Sequence, residues 1–276
     1  MFDIGISLSP TKTKFGPLLF SGCLDEGLEN IDTLGYQGVE LSLLDSKKID
    51  ETWLLDKLKE LNLKVYALAT GQSYYTDGYS LFSHEKNSRI KTVERLKGHI
   101  DLASKLNSMV IIGGIRGKLI DSVEGRKLRK LQEVEGRLAL MECLKYAEDK
   151  DVILLIEPIN RYETNLINTL QEGMELIDES GSKNLKLLPD TFHMNIEEKS
   201  IEESLIKAKS YIKYIHFADS NRLAPGSGHI DFKSIISTLM KIGYKGAIGI
   251  EILPKPDDYS AAKKSIEFLK AFMYEV

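Results

Sequence analysis

The sequence predicts an α/β protein folded as a single (β/α)8 barrel, and three observations carry that reading. Short β-branched runs recur eight times, each followed by a longer stretch of helical periodicity. No Pro/Ser-rich linker or low-complexity segment divides the chain, so residues 1–276 are expected to form one domain, near the ~250 residues usual for such barrels. A doubly wound sheet of the dinucleotide-binding kind would want Gly-x-Gly-x-x-Gly after the first strand, and Ser7-Leu8-Ser9-Pro10 offers nothing like it.

The strands are expected at 4–9, 38–43, 64–70, 109–115, 152–159, 185–193, 211–219 and 247–253. Most are apolar throughout rather than alternating, as parallel strands covered on both faces should be. Between them, amphipathic stretches predict helices from Asp25 to Leu34, Thr52 to Leu61, Glu85 to Leu106, Gly125 to Lys150 and Tyr259 to Tyr274. Gly35 and Gly243 follow helix ends, where glycine caps are common. The phrases Leu34-Gly35-Tyr36-Gln37-Gly38 and Ile242-Gly243-Tyr244-Lys245-Gly246 match in pattern, and each leads into a strand carrying a glutamate, Glu40 or Glu251. They are the trace of an internal repeat.

Bulk properties narrow the function. A hydrophobic share of 42% beside 28% charged residues is the balance of a globular protein with a substantial core. A net charge of −4 argues against a nucleic-acid partner, which calls for a basic excess. Cys23 and Cys143 are the only cysteines, too few for a disulfide framework and without a Cys-x-x-Cys pair. Residues Met1 to Gly5 lack the features of a signal peptide, and the longest apolar runs are too short to cross a bilayer. A cytoplasmic protein with no membrane partner is expected.

The chemistry concentrates where strands five to eight end, the place where barrel enzymes carry their catalytic groups. Leu155-Ile156-Glu157-Pro158, Leu188-Pro189-Asp190, Ile215-His216-Phe217 and Gly249-Ile250-Glu251 each interrupt an apolar run with a group that is expensive to bury unpaired. Neighbouring strands would aim Glu157, Asp190, His216 and Glu251 at one spot. Three carboxylates and an imidazole suit a hard or borderline cation such as Mn²⁺, Co²⁺ or Mg²⁺, and suit structural zinc poorly. The loops beyond them hold Asn160, Arg161, Tyr162 and Glu163, and Asn221-Arg222 ahead of a Pro-Gly-rich stretch ending in Asp231. Two readings of these loops stand: solvated turns before a helix capped by Asp231, or hydrogen bonds from Glu163 and Arg222 to a substrate's hydroxyls. Tyr74 and Tyr75 after strand three either roof a pocket or pack a loop. Gly113-Gly114-Ile115-Arg116 after strand four has the elements of a weak phosphate site.

The phrases Glu157-Pro158-Ile159-Asn160-Arg161-Tyr162-Glu163, Asp190-Thr191-Phe192-His193 and His216-Phe217-Ala218-Asp219-Ser220-Asn221-Arg222, with Glu251 beyond, resemble the sugar isomerase/epimerase family of xylose-isomerase-like barrels. That group includes D-tagatose, D-psicose and L-ribulose 3-epimerases. The resemblance implies one divalent metal (Mn²⁺ first, then Co²⁺, Mg²⁺ or Zn²⁺) on Glu157, Asp190, His216 and Glu251. It implies Glu157 and Glu251 as the acid/base pair of a ketose 3-epimerase. Glu163, His193 and Arg222 would hold the carbonyl end of a small ketose, and a homodimer or homotetramer is expected. Other outcomes of the same site are a sugar or sugar-phosphate isomerase, a hydroxypyruvate isomerase or an inosose dehydratase. An AP endonuclease of the endonuclease IV type would use three zinc ions and need more histidines than the five present.

Overall fold

The computed structural model describes residues 2–13, 16–123 and 125–274. Eight parallel strands appear, β1 (Ile4–Leu8), β2 (Gly38–Ser42), β3 (Lys64–Ala69), β4 (Met109–Ile112), β5 (Leu154–Ile156), β6 (Leu185–Leu187), β7 (Ile215–Phe217) and β8 (Ile248–Ile250). Ten α-helices alternate with them: α1 (Leu24–Leu34), α2 (Glu51–Glu60), α3 (Gly71–Asp77), α4 (Lys86–Leu106), α5 (Arg126–Asp149), α6 (Leu170–Ser180), α7 (Thr191–Glu197), α8 (Ile201–Ala208), α9 (Phe232–Lys241) and α10 (Asp258–Tyr274). The ladder runs β6-β5-β4-β3-β2-β1-β8-β7. Single bridges Leu187↔Ile212 and Asp190↔His216 join its two ends and close the barrel. Among the described residues no helix is long and apolar enough to cross a membrane.

The expected strands are all present, but the later ones are shorter than the apolar runs suggested. Asp190 makes the last sheet contact of this run, its bridge to His216, and residues 191–193 leave the sheet because Asp190 caps α7, its Oδ1 accepting from the Phe192 and His193 amides. Helices α3, α6, α7 and α8 were not read from the sequence. The five helices that were expected match within one residue at each end. Gly35 caps α1 and Gly243 follows α9, both in the left-handed conformation open to glycine. Asp231 caps α9 by accepting from the Ser234 amide, so that part of the loop reading holds.

Two apolar layers stabilise the barrel. Ile6, Val39, Leu41, Val110, Ile156 and Ile250 belong to the outer layer, between sheet and helices. The interior is filled by Ala67, Ala69, Ile111, Leu155, Leu188, Tyr214 and Ala247. Tyr214 is the bulky member, and room for it comes from Gly249, where a Cβ would lie 2.2 Å from the Tyr214 hydroxyl. That hydroxyl is buried without a hydrogen-bond partner.

A Gly249→Ala change should therefore destabilise by about 1–3 kcal/mol through overpacking, read as a lower urea midpoint. Tyr214→Phe removes an unsatisfied group and should cost little. Combined with Gly249→Ala, it should recover part of the loss; no recovery would contradict this packing.

Candidate active site

At the C-terminal end of the barrel, Glu157 follows β5, Asp190 lies three residues past β6, His216 is in β7 and Glu251 follows β8. The four are buried, and one ligand atom from each falls within 4.8 Å of every other. His216 Nδ1 is 3.6 Å from Glu157 Oε1, 3.8 Å from Asp190 Oδ2 and 3.9 Å from Glu251 Oε2. His216 Nδ1 and Asp190 Oδ2 are buried with no hydrogen-bond partner. Two orphaned polar atoms facing two further carboxylates fit a cation of the hard or borderline class. The four residues form a divalent-metal-binding cluster, as the strand-end pattern implied.

The tautomer of His216 is set from behind. Its Nε2 lies 2.6 Å from Glu40 Oε2, and the other Glu40 oxygen accepts from the Ser7 hydroxyl at 3.0 Å. With the proton on Nε2, Nδ1 keeps its lone pair for the cluster. A bulge between β2 and β3 falls at Val39/Glu40. Sequence reading noted Glu40 only as half of a repeat. The available signal was an ionisable residue inside the apolar run Gly38–Ser42.

Burial dominates the protonation of the cluster. It pushes the Glu157 carboxyl up, a shift eased by His216 and added to by Glu251. It lifts Asp190 to about 7 against the pull of Arg222. For His216 burial acts downward, but Glu40, Glu157 and Glu251 outweigh it and hold the imidazole well above its ordinary value. The cluster thus retains protons at neutral pH that a cation would replace.

A second layer adjoins it. Arg222 Nη2 donates to Glu251 Oε2 at 2.6 Å, and its guanidinium stacks 4.7 Å over the Phe192 ring. Arg222 itself has φ 58°, an unusual conformation for a non-glycine residue. Asn160 Nδ2 lies 3.0 Å from Glu163 Oε1 and 2.8 Å from His193 Nδ1, and the Asn160 amide also points at that ring nitrogen. Nδ1 is then the acceptor, so the His193 proton sits on Nε2. Burial, then the charge of Arg222, holds His193 well below its ordinary value and hence neutral. Tyr75 donates to Glu163 Oε2 at 3.2 Å, so this tyrosine does roof the pocket. Asn160, read as a loop residue at first, links Glu163 to His193.

The pocket between these groups has about 30 Å³ of free room and is lined by Ser42, Thr70, Gly71, Tyr75, Gly113 and the residues above. A larger hollow of about 690 Å³ lies at the other end of the barrel, around Lys64, Tyr66 and Met109. It contains none of the cluster, so the chemistry and not the size identifies the site. Gly113 leaves room for the Glu157 carboxylate, because a Cβ would come 2.3 Å from Glu157 Oε2 and displace it.

Arg116 corrects the phosphate expectation. It is 1% exposed, and its guanidinium donates to the carbonyls of Ile112, Gly113, Glu157, Leu166 and Ile167. Those bonds tie the loops after β4 and β5 together and leave the guanidinium facing backbone. His229 pairs with Ser220 and His99 with the carbonyls of Arg95 and Leu43. Among the described residues the metal-ligating group contains one histidine, unlike a three-zinc nuclease.

The profile of the xylose isomerase-like TIM barrel family matches residues 28–272, and the chain belongs to that family. Within it, the chain is 34% identical over 217 residues to an L-ribulose 3-epimerase of Methylomonas sp. (strain DH-1), covering 79% of this chain and 74% of the relative. It is 30% identical over 239 residues to a D-psicose 3-epimerase of Enterocloster bolteae, covering 81% and 75%. The crystal structure of a D-allulose 3-epimerase from Methylomonas sp. superposes with a TM-score of 0.81 at 25% identity, over 99% of each chain.

Glu40→Gln should weaken Mn²⁺ binding by about 10–100-fold with the circular dichroism unchanged; equal affinity in titration calorimetry would contradict the positioning role. The pH dependence has a definite sign. Asp190 at about 7 in the fold lies above its unfolded value of ~3.9. Its contribution to stability is therefore full below ~4 and lost as pH rises towards 7. Added Mn²⁺ replaces those protons, so it should raise the melting temperature more at pH 7.5 than at pH 5. An equal or larger rise at pH 5 would count against the proton-holding cluster.

Proposed function

We propose that the chain is a ketose 3-epimerase dependent on a divalent metal, in which Glu157 and Glu251 exchange the proton at C3 of a small free ketose. The observation that carries this reading is the pair of glutamates facing one cavity beside two converging donors. Arg222 Nη1 and His193 Nε2 are 3.5 Å apart, and with the tautomer set by Asn160 both are donors, so a substrate oxygen between them would accept from both, beside the Glu163 Oε1 that Nη1 already faces at 3.5 Å. Glu163, held by Asn160 and Tyr75, is the acceptor for a neighbouring hydroxyl. These three residues fix the carbonyl end of the sugar.

Glu157, Asp190, His216 Nδ1 and Glu251 would hold the metal, with Mn²⁺ as first choice and Co²⁺, Mg²⁺ or Zn²⁺ as the others. When bound, the ion supplies the positive charge that makes a proton next to a ketone removable, by stabilising the enediolate that forms. One glutamate takes the C3 proton from one face of the sugar and the other returns a proton to the opposite face, which inverts that carbon. The buried position of both carboxylates keeps bulk water from competing for the proton. The names of the relatives support a ketose as substrate, and the engagement of Arg116 with backbone supports a free sugar over a phosphorylated one. A homodimer or homotetramer belongs to the same proposal.

The test is solvent exchange in D₂O, with Mn²⁺-loaded protein, a panel of free ketoses and ketose phosphates, and NMR detection. Deuterium should enter at C3 of a free ketose. Glu251→Gln and Glu157→Gln should each slow this by about 10²–10⁴-fold. Metal-loaded protein that exchanges no sugar proton would overturn the epimerase reading and favour dehydratase or hydroxypyruvate isomerase chemistry.

A further inference from the structure

Helix α3 carries Tyr75 over the pocket and has little reason to be a helix on its own. It is seven residues long, begins with Gly71 and lacks a side-chain cap at Thr70. A helix so short is marginal in water and forms where its neighbours hold it. Its first turn is held by Gln72, whose Nε2 donates to Ser9 Oγ at 2.8 Å and to the Ser42 carbonyl at 2.9 Å. Its far end stops at Gly78 in the left-handed conformation.

That far end is gripped from α4. Arg95 Nη1 lies 3.1 Å from Asp77 Oδ2 and donates to Ser73 Oγ at 3.3 Å. The same guanidinium donates to the Leu44 carbonyl after β2, faces Asp45 Oδ2 at 3.6 Å and stacks 4.8 Å over the Tyr79 ring. Ser73 also donates to the Leu44 carbonyl, at 2.8 Å, so α3 and the loop after β2 close on one cation. A planar fork with several fixed donors serves these directions at once, which a lysine ammonium does not match. Ser73 and Asp77 are four residues apart and share a face of α3, whereas Tyr75, two residues from each, lies on the opposite face. The helix is thus a bar with Arg95 on one side and the pocket on the other.

We propose that Arg95 is a positioning residue for the sugar site: by fixing α3 it sets the Tyr75 hydroxyl on Glu163, and so holds that carboxylate ready for a substrate hydroxyl. Tyr75 is 43% exposed, so burial does not place its ring. The ring rests on Gly114, where a Cβ would come 3.1 Å from Tyr75 Cε2, and its hydroxyl donates to Glu163 Oε2. Both contacts depend on where the helix puts the side chain. Arg116 holds the Glu157 carbonyl and Arg222 holds Glu251, each without help from α3. Loosening α3 should therefore weaken the binding of a ketose and leave proton transfer nearly intact. The effect on a sugar rests on the epimerase reading; the link from Arg95 to Tyr75 does not.

Two readouts test this, and one of them needs no sugar. In protein labelled with 3-fluorotyrosine, the Tyr75 ¹⁹F signal is the one that Tyr75→Phe removes. Arg95→Ala should move it towards the position of free fluorotyrosine. Asp77→Ala, a milder cut at the exposed end of the helix, should move it the same way. Kinetics of the Mn²⁺-loaded enzyme with D-psicose and L-ribulose as probes give the second readout. Arg95→Ala and Tyr75→Phe should each raise KM about tenfold with kcat within about threefold. The double variant should be no worse than either alone, because both cut one chain of contacts. A Tyr75 signal unmoved in both Arg95→Ala and Asp77→Ala would overturn the proposal, as would KM effects that multiply in the double variant. A wild type that exchanges no ketose proton would overturn the epimerase reading, while the fluorine signal still decides whether Arg95 sets Tyr75.

Discussion

Gathering like charges in a water-poor place is the constraint around which this barrel is built. Three carboxylates converge on His216 Nδ1 at 3.6–3.9 Å, and each ionised group costs several kcal/mol to bury unless paired. Glu40 behind the imidazole and Arg222 beside Glu251 offset part of that cost. The remainder is left in the orphaned atoms of His216 and Asp190. A fold that keeps such groups offsets their cost with its apolar layers, and leaves a cluster of donors suited to a cation.

Each ligand reaches that place through a local device. Asp190 divides its two oxygens, Oδ1 capping α7 through two amides and Oδ2 left free for the cluster. His216 divides its two nitrogens in the same way, Nε2 to Glu40 and Nδ1 inward. Gly113 clears space for the Glu157 carboxylate, and Arg116 holds the Glu157 carbonyl from behind. The site is thus rigid on its metal side. On its open side the contacts are the hydrogen bonds of Tyr75, Glu163 and Asn160, which the ketose of the proposed function would exchange for its own hydroxyls.

The four ligands were legible because ionisable residues at strand ends break apolar runs, and parallel strands in a barrel must bring those ends together. Glu40 was legible only as half of a repeat, because it enters from β2, away from the strand ends that carry the four ligands. Arg116 was misread since glycines beside an arginine look alike whether the guanidinium faces a ligand or backbone carbonyls; only its burial distinguishes them. The end of β6 was placed too late for a related reason. Asp190 breaks the apolar run ahead of it, and its capping bonds turn residues 191–193 into α7. Short helices such as α3 and α7 have too few turns for periodicity to reveal them.

Anomalous diffraction from crystals grown with Mn²⁺, collected at the manganese edge, tests the central claim most directly. One peak within ~2.5 Å of Glu157, Asp190, His216 Nδ1 and Glu251, with His216 Nε2 still on Glu40, is the result expected. No peak there, several peaks drawing in His193 or His229, or an ion bound through His216 Nε2 would contradict the account.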